Sequence, residues 1–530
     1  MRILVTGGTG IIGQQTVETL LRRGHDVTLL SRNAERDAER FGPGVSAWPA
    51  TVTEPEAIAG SADRCDIVVH IAGIAREEPP ELTFERVNVE GTRNLLREAE
   101  RSAVRRFVYV SSLGADRGAS DYHRSKRASE ELVRQYAGEW VIVRPANVYG
   151  PGDEVLSTLL EWVRTSPVVP VIGTGAHVFQ PIWCGDVAAA LAAVAEREDV
   201  AGRVLEIAGP DRTTLDDMLD RLVRLTGRRP VRVPVPAAAV SAGIAAATAL
   251  GVDLPVTGSQ LQMLLEGNVI PDDAENALTE RLGLAATPLD EGLRKLATGA
   301  PDQLPDEGFG PLQMRVFGAE ARTEITEEQL IARVRNEFGR LMPGTVEMSP
   351  ESGAESATRL YEGATLTMSL PVRGHIQVRV ADVSPTDVTL LTLRGHPLAG
   401  AVRFRARRSG ALLRFEVQVI ERAASITDFA LMALGGSVLQ GKTWEDFVRN
   451  SFAAIAVKPG PVTSATEALD GERAARVSRW LAELSLRSRG SARTSGLRGA
   501  TDSVPRSRVD SDSARTHDTA TPQSDEPAEP

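Results

Sequence analysis

A chain of 530 residues is too long for one compact domain, and with 42% hydrophobic residues it holds material for two or three cores. A formal net charge of −11 argues against a general nucleic-acid binder, and two cysteines, Cys65 and Cys184, cannot build a disulfide framework or a cysteine-rich metal site. Only four of the 60 basic residues are lysine (Lys126, Lys295, Lys442 and Lys458), so each lysine is informative.

The chain opens Met1-Arg2-Ile3-Leu4-Val5-Thr6 and runs straight into a glycine turn, so no signal peptide is expected. From 1 to about 230, short β-branched runs alternate with helical patterns, the signature of parallel strands joined by crossover helices. Strands are predicted at 3–6, 27–30, 67–71, 107–111 and 141–144, with amphipathic helices at 14–23 and 91–101. A Pro-rich connector is predicted at 230–236. The Ala-rich stretch 237–252 is short of the roughly 20 residues a membrane span requires, and a helix is predicted near 259–266. No transmembrane segment is expected, and the location is read as cytoplasmic. Around 300–310 the composition becomes that of a linker. A second domain then opens with a predicted helix at 326–341, where Thr326 and Gln329 have capping-box spacing. Alternating strands follow at 365–370, 375–380, 388–393, 402–407 and 412–419, their period of two fitting a sheet with one wet face. A helical region covers 426–452. After Trp480 no aromatic residue occurs, and the composition cannot offset chain entropy. The predicted domains are 1–299 and 303–459, with 460–530 a linker, a short helix and a disordered tail.

The segment Gly7-Gly8-Thr9-Gly10-Ile11-Ile12-Gly13 lies between a strand and a helix. A helix N-terminus presents free N–H groups and a partial positive charge, suited to a pyrophosphate, and glycine permits the tight turn and the close approach. The G-x-x-G-x-x-G spacing after Thr6 resembles the short-chain dehydrogenase/reductase family. On that resemblance Gly7, Thr9, Gly10, Ile11, Ile12 and Gly13 are candidate cofactor contacts. The second strand ends Ser31-Arg32 where NAD enzymes usually carry an acidic residue, and Arg suits a 2′-phosphate, so NADP(H) is preferred over NAD(H). An exposed Arg that merely starts the next loop is the alternative. His70-Ile71-Ala72-Gly73, Asn88-Val89-Glu90-Gly91-Thr92 and the run Arg144 to Gly152 resemble segments of the extended branch. This adds Ala72, Gly73, Pro145 and Asn147 to the cofactor set. Thr51 stands where many relatives place an adenine-contacting Asp. Asp186 is read as a helix cap.

Tyr122-His123-Arg124-Ser125-Lys126 puts a phenol and an ammonium on one helix face. A tyrosine of pKa about 10 is a poor base at neutral pH, and a nearby positive charge favours its phenolate. The resemblance implies Tyr122 as acid/base, Lys126 on the nicotinamide ribose and Ser112 polarising the substrate oxygen, with Ser111 its competitor. Tyr122 and Lys126 thus serve both catalysis and the cofactor, and Asn88 matches a position that supports a proton relay in some relatives. The run Pro167 to Gly173, with Phe179-Gln180-Pro181 and Pro255-Val256-Thr257, resembles the atypical branch near an accessory subunit of respiratory complex I. The segment Gly395 to Gly400 with the strands after it resembles START-like helix-grip domains, in which a curved antiparallel sheet wraps a C-terminal helix around an apolar cavity. His396, beside Pro in a turn, is read as structural.

The expected fold is therefore α/β: a Rossmann-type parallel sheet followed by an α+β domain with a curved antiparallel sheet and a C-terminal helix. The expected function is an NADP(H)-binding oxidoreductase or epimerase/dehydratase acting on a small carbonyl or alcohol substrate. The alternative is a non-catalytic NADP(H)-binding scaffold or sensor, coupled to a domain that binds a hydrophobic ligand. The oligomeric state is open.

Overall fold

The computed structural model describes residues 1–236, 238, 268–344, 346–349, 359–370, 374–431 and 437–501. In the N-terminal part, strands β1 (Arg2–Thr6), β2 (Asp26–Ser31), β3 (Val45–Pro49), β4 (Ile67–His70), β5 (Arg106–Val110) and β6 (Glu139–Pro145) join with β10 (Arg203–Ile207). They form one seven-stranded sheet in the order β3-β2-β1-β4-β5-β6-β10, every pairing parallel. Alternation along each strand divides the core between two faces. Ile3, Val5, Val69, Val108 and Val143 point into one cluster, and Leu4, Val68, Phe107 and Ile142 into the other. A parallel sheet buried on both faces needs near-continuous apolar strands, and these runs supply them. The strand order reverses between β1 and β4, and an open α/β sheet forms its ligand crevice at such a point.

Two short parallel pairs flank this sheet: β7 (Val148–Tyr149) with β9 (Ile182–Trp183), and β8 (Val168–Ile172) with β11 (Val231–Val235). The segment 230–236, expected to be a connector, is thus largely a strand. Pro230, Pro234 and Pro236 obscure it in sequence, but an edge position tolerates proline. The stretch 239–252 and the helix predicted near 259–266 lie outside the described residues.

The second domain is an eight-stranded antiparallel sheet. Its members are β12 (Phe309–Arg322), β13 (Glu347–Met348), β14 (Thr365–Leu370), β15 (Gly374–Val383), β16 (Asp387–Thr392), β17 (Leu398–Ser409), β18 (Leu412–Ala423) and β19 (Thr463–Leu469). Their order is β13-β14-β15-β16-β17-β18-β12-β19. Irregularities between Phe309 and Gln313 in β12 and between Val380 and Asp382 in β15 bend the strands. One face packs on helices Glu327–Leu341 and Ser437–Ala453. Phe338, Phe404, Phe415, Trp444, Phe447 and Phe452 meet there, with ring centres 5.0–6.4 Å apart.

Three expectations change here. The domain opens not with the helix at 326 but with β12, whose Gly310, Gly318, Ala319 and Ala321 weaken its alternation. Residues 463–501, expected to be linker, short helix and tail, form β19 and helix Gly471–Thr501. The sheet face expected to be wet is covered in part by that helix, where Leu481 and Leu484 pack on Leu391, Ala401 and Ile420, while Arg405, Arg414 and Glu416 on the same face stay half-exposed. No helix among the described residues is long and apolar enough to cross a membrane.

Candidate functional site

The glycine turn connects β1 to helix Ile11–Arg22, whose N-cap Gly10 supplies no side-chain cap. Gly7 has φ +69°, and a Cβ there would lie 2.6 Å from Ala72 N. A Cβ on Gly13 would lie 2.1 Å from Gly7 O, so the helix can sit this close to the turn only with glycine. Gln14 Nε2 donates to Thr9 O at 2.8 Å, and Ile11 and Ile12 are half-buried at the helix start. At the end of β2, Arg32 is exposed. Ser31 Oγ donates to the buried carboxylate of Asp37 at 2.9 Å, a neighbour the motif did not disclose. Thr51, after β3, contacts the Thr53 hydroxyl at 3.1 Å.

A polar chain ties the turn to the next loop. Thr6 Oγ1 accepts from Ala72 N at 3.3 Å and donates to His70 Nδ1 at 2.7 Å. His70 Nε2 then donates to Thr92 Oγ1 at 3.0 Å, and Thr92 donates to Asn88 O at 2.5 Å. His70 is fully buried, and desolvation, reinforced by the Lys126 charge, pulls its pKa down to about 3, so the imidazole is neutral. Asn88 lies in a π-helical segment, Glu85–Glu90, a geometry frequent at functional sites. Its Oδ1 accepts from Ile74 N at 2.9 Å, and its Nδ2 donates to Ile74 O at 3.1 Å and Ser125 Oγ at 2.9 Å.

Helix Asp121–Val133 starts at Ser120, whose hydroxyl caps His123 N. One of its faces carries Tyr122, Lys126 and Glu130. Lys126 Nζ donates to Val110 O at 3.0 Å and lies 6.0 Å from the centre of the Tyr122 ring. Burial lowers the Lys126 pKa to about 8, against the pull of the Glu130 carboxylate. Burial also raises the Tyr122 pKa, while the nearby Ser112 hydroxyl, which donates to Leu113 O at 3.3 Å, opposes the rise. Ser111 is engaged elsewhere, donating to Glu130 Oε1 at 2.6 Å, and Glu130 in turn pairs with Arg144 at 2.7 Å. Of the two candidate serines, Ser112 is thus the one not held by Glu130. Glu130 was missed from the sequence, although its place four residues after Lys126 was the available signal.

Pro145 ends β6, its carbonyl accepting from Leu113 N at 2.9 Å. Asn147 O accepts from Ile182 N at 2.9 Å, while Asn147 Oδ1 is buried without a hydrogen-bond partner among the described residues. Asp186 does not cap its own helix. Its carboxylate accepts from Thr287 N at 2.7 Å and Thr287 Oγ1 at 2.8 Å, pinning a segment a hundred residues away that local sequence cannot reveal. Cys65 and Cys184 are buried, and His396 accepts from Leu398 N at 3.0 Å within its turn.

The profile of the NAD dependent epimerase/dehydratase family matches residues 3–208. Ceramide reductase of Caulobacter vibrioides is 33% identical over 243 residues, covering 44% of this chain and 74% of that protein. This chain belongs to the NAD dependent epimerase/dehydratase family. Also similar is the mitochondrial NADH dehydrogenase [ubiquinone] 1 alpha subcomplex subunit 9 of Arabidopsis thaliana, 29% identical over 52% of this chain and 71% of that one. A 3-beta-hydroxysteroid dehydrogenase of Mycolicibacterium neoaurum is 30% identical over 29% of this chain and 50% of its own length. Among solved structures, UDP-glucose 4-epimerase of Thermotoga maritima is similar with a TM-score of 0.45 and 23% identity, over 56% of this chain and 97% of that one. The residues of this epimerase/dehydratase chain fit a nicotinamide dinucleotide. The turn between β1 and its helix is a cradle that a Cβ on Gly7 or Gly13 would fill, and Asn147 Oδ1 is a buried acceptor left for a donor.

Proposed function

We propose that the chain is an NADP(H)-dependent oxidoreductase or epimerase of the short-chain dehydrogenase/reductase type, acting on a small carbonyl or alcohol substrate. The observation that carries this reading is the single helix face that carries Tyr122 and Lys126, with Lys126 Nζ 6.0 Å from the centre of the phenol ring. The dinucleotide, when bound, supplies or takes up hydride. The turn Gly7–Gly13, with Thr9, Gly10, Ile11 and Ile12, would hold its pyrophosphate. Ala72, Gly73, Pro145 and Asn147 would border its nicotinamide half. Lys126 would hold the nicotinamide ribose, and its charge favours the phenolate of Tyr122. The Ser112 hydroxyl orients the substrate oxygen, and Tyr122 gives that oxygen a proton or takes one from it. Asn88, braced by Ile74 and Ser125, stands where it can support proton return.

The preference for NADP(H) rests on Arg32, which has the fork geometry for a 2′-phosphate. Asp37 works against that preference, because its carboxylate takes up the Ser31 hydroxyl and would repel a 2′-phosphate. Competition between NADPH and NADH for the purified protein decides the question, and equal affinities would refute the preference. The reaction itself is tested by following nicotinamide absorbance with a series of aldehydes and ketones. Tyr122→Phe is expected to lower turnover by about 10²–10⁴-fold while cofactor binding persists.

A second reading, a cofactor-binding scaffold without turnover, is supported by the similarity to complex I subunits. It predicts tight NADPH binding and no effect of Tyr122→Phe on function. For the second domain, the START-like resemblance supports a hydrophobic ligand. The six rings packed between sheet and helices favour a filled core, and native mass spectrometry for a co-purified lipid separates the two. Placement in the cytoplasm belongs to this proposal as well.

A further inference from the structure

The second domain is built into the first at the end of helix Leu289–Thr298. Gln377 Nε2 donates to Ala297 O at 2.8 Å, Thr365 Oγ1 to Thr298 O at 3.0 Å, and an Arg379 nitrogen to Ala300 O at 2.7 Å. The last turn of a helix leaves carbonyls unpaired, and here side chains of the other domain help to take them up, with Arg164 of the first domain also donating to Ala297 O at 2.7 Å. The same helix lies against the loop that follows Asn147. A Cβ on Gly292 would overlap the Tyr149 hydroxyl, and one on Gly299 would lie 2.7 Å from Pro151.

At this seam is a cavity of about 230 Å³ with walls from both domains. Arg76, Asp153 and Glu161 come from the first; His375, Gln377 and Arg394 come from the second. Arg76 and Asp153 extend the two segments, after Gly73 and after Asn147, that border the nicotinamide half in the proposed reading. The Asp153 carboxylate is occupied by its own loop, accepting from Leu156 N at 2.6 Å, Val155 N at 3.0 Å and Ser157 Oγ at 2.9 Å. Glu161 and Arg394 face the cavity from opposite domains, and a Cβ on Gly395 would stand 3.6 Å from the Glu161 side chain. An ion of either sign would meet a like charge there. A hydroxyl suits both, donating to the carboxylate and accepting from the guanidinium. The cavity is smaller than the roughly 300–1,000 Å³ that encloses a whole drug-sized ligand, so it fits one end of a molecule.

We propose that this cavity takes the uncharged, hydroxyl-bearing end of the substrate and that Glu161 and Arg394 select it. The second domain thereby sets specificity for chemistry performed on the first. This rests on the proposed oxidoreductase reading for the reacting end alone, and the test keeps the two apart. Erythritol, a polyol without a carbonyl, is titrated into the full chain loaded with NADPH and followed by saturation-transfer NMR. Binding is expected, weakened about tenfold in Arg394→Ala and in Glu161→Gln, with NADPH affinity unchanged. In parallel, erythrulose and 2-pentanone are compared as substrates. The hydroxylated ketone is expected to have the higher kcat/KM, and Arg394→Ala to raise its KM without lowering kcat. Erythritol binding that depends on both side chains, without turnover of either ketone, upholds the cavity and overturns the reaction. Absence of erythritol binding, or binding indifferent to both substitutions, overturns the cavity whatever the turnover. The two variants lie at the surface of the seam on separate domains, so a folding defect in one leaves the other as the test.

Discussion

Lys126 sits where its charge is easily lost. Its ordinary pKa near 10.5 falls to about 8 because the ammonium is buried, with Val110 O as its neutral hydrogen-bond partner. While it keeps its proton, the ammonium adds to the attraction that the helix N-terminus exerts on an anionic dinucleotide. NADPH affinity, measured by fluorescence titration, should therefore decline above about pH 8, and Lys126→Met should flatten that profile at a lower affinity. His70 has the opposite consequence, for stability in acid. The unfolded imidazole binds a proton below about pH 6.5, whereas the folded one resists until about pH 3. The stability it permits is complete above about pH 6.5 and is lost progressively as pH falls toward 3, by about 5 kcal/mol in all. Thermal melts across that range should show the loss, and His70→Asn should reduce its slope. At Gly13, substitution by Ala forces a Cβ toward Gly7 O. Overpacking of this kind costs about 1–3 kcal/mol, and the displaced turn should abolish measurable NADPH binding.

At the level of elements, the readable parts were those whose residues carry their own reason. Strands β1, β2, β4, β5 and β6 are short β-branched runs, and their ends were placed within a residue or two. Helix Glu327–Leu341 announced itself through Thr326 and Gln329. The structure contains both halves of that capping box, with Gln329 N donating to Thr326 Oγ1 at 3.2 Å and Thr326 N donating to Gln329 Oε1 at 2.9 Å. Thr326→Ala should cost about 1 kcal/mol in chemical denaturation. What stayed hidden depends on partners far away in sequence. Strand β11 exists because β8 pairs with it, and β19 because β12 does. The Glu130 link between Ser111 and Arg144 joins three elements. The candidate site followed the same rule: the motifs of Tyr122, Lys126 and the two serines were legible, but the bond that ties Ser111 to Glu130 was not.

For the whole molecule, Asp302 is the junction. It pairs with Arg379 at 2.9 Å and accepts from Ser485 Oγ at 2.6 Å, so one buried carboxylate joins the interdomain segment, the second sheet and the terminal helix. Removing one partner of a buried pair costs about 3–5 kcal/mol. Asp302→Ala should lower the melting temperature and split the calorimetric unfolding into two transitions, the second domain melting first. The place of β12 bears on a different moment, that of synthesis. This strand leaves the ribosome first among those of its sheet, yet its two neighbours are β18 and β19, from residues 412–423 and 463–469. While the intervening hairpins assemble, 309–322 is a strand with no partner, and exposed edges of that kind invite intermolecular pairing. The N-terminal sheet can close while translation continues, but β12 must wait for residues 412–423 and 463–469 to emerge. A chaperone that covers residues 309–322 in that interval would keep this edge from pairing with another chain.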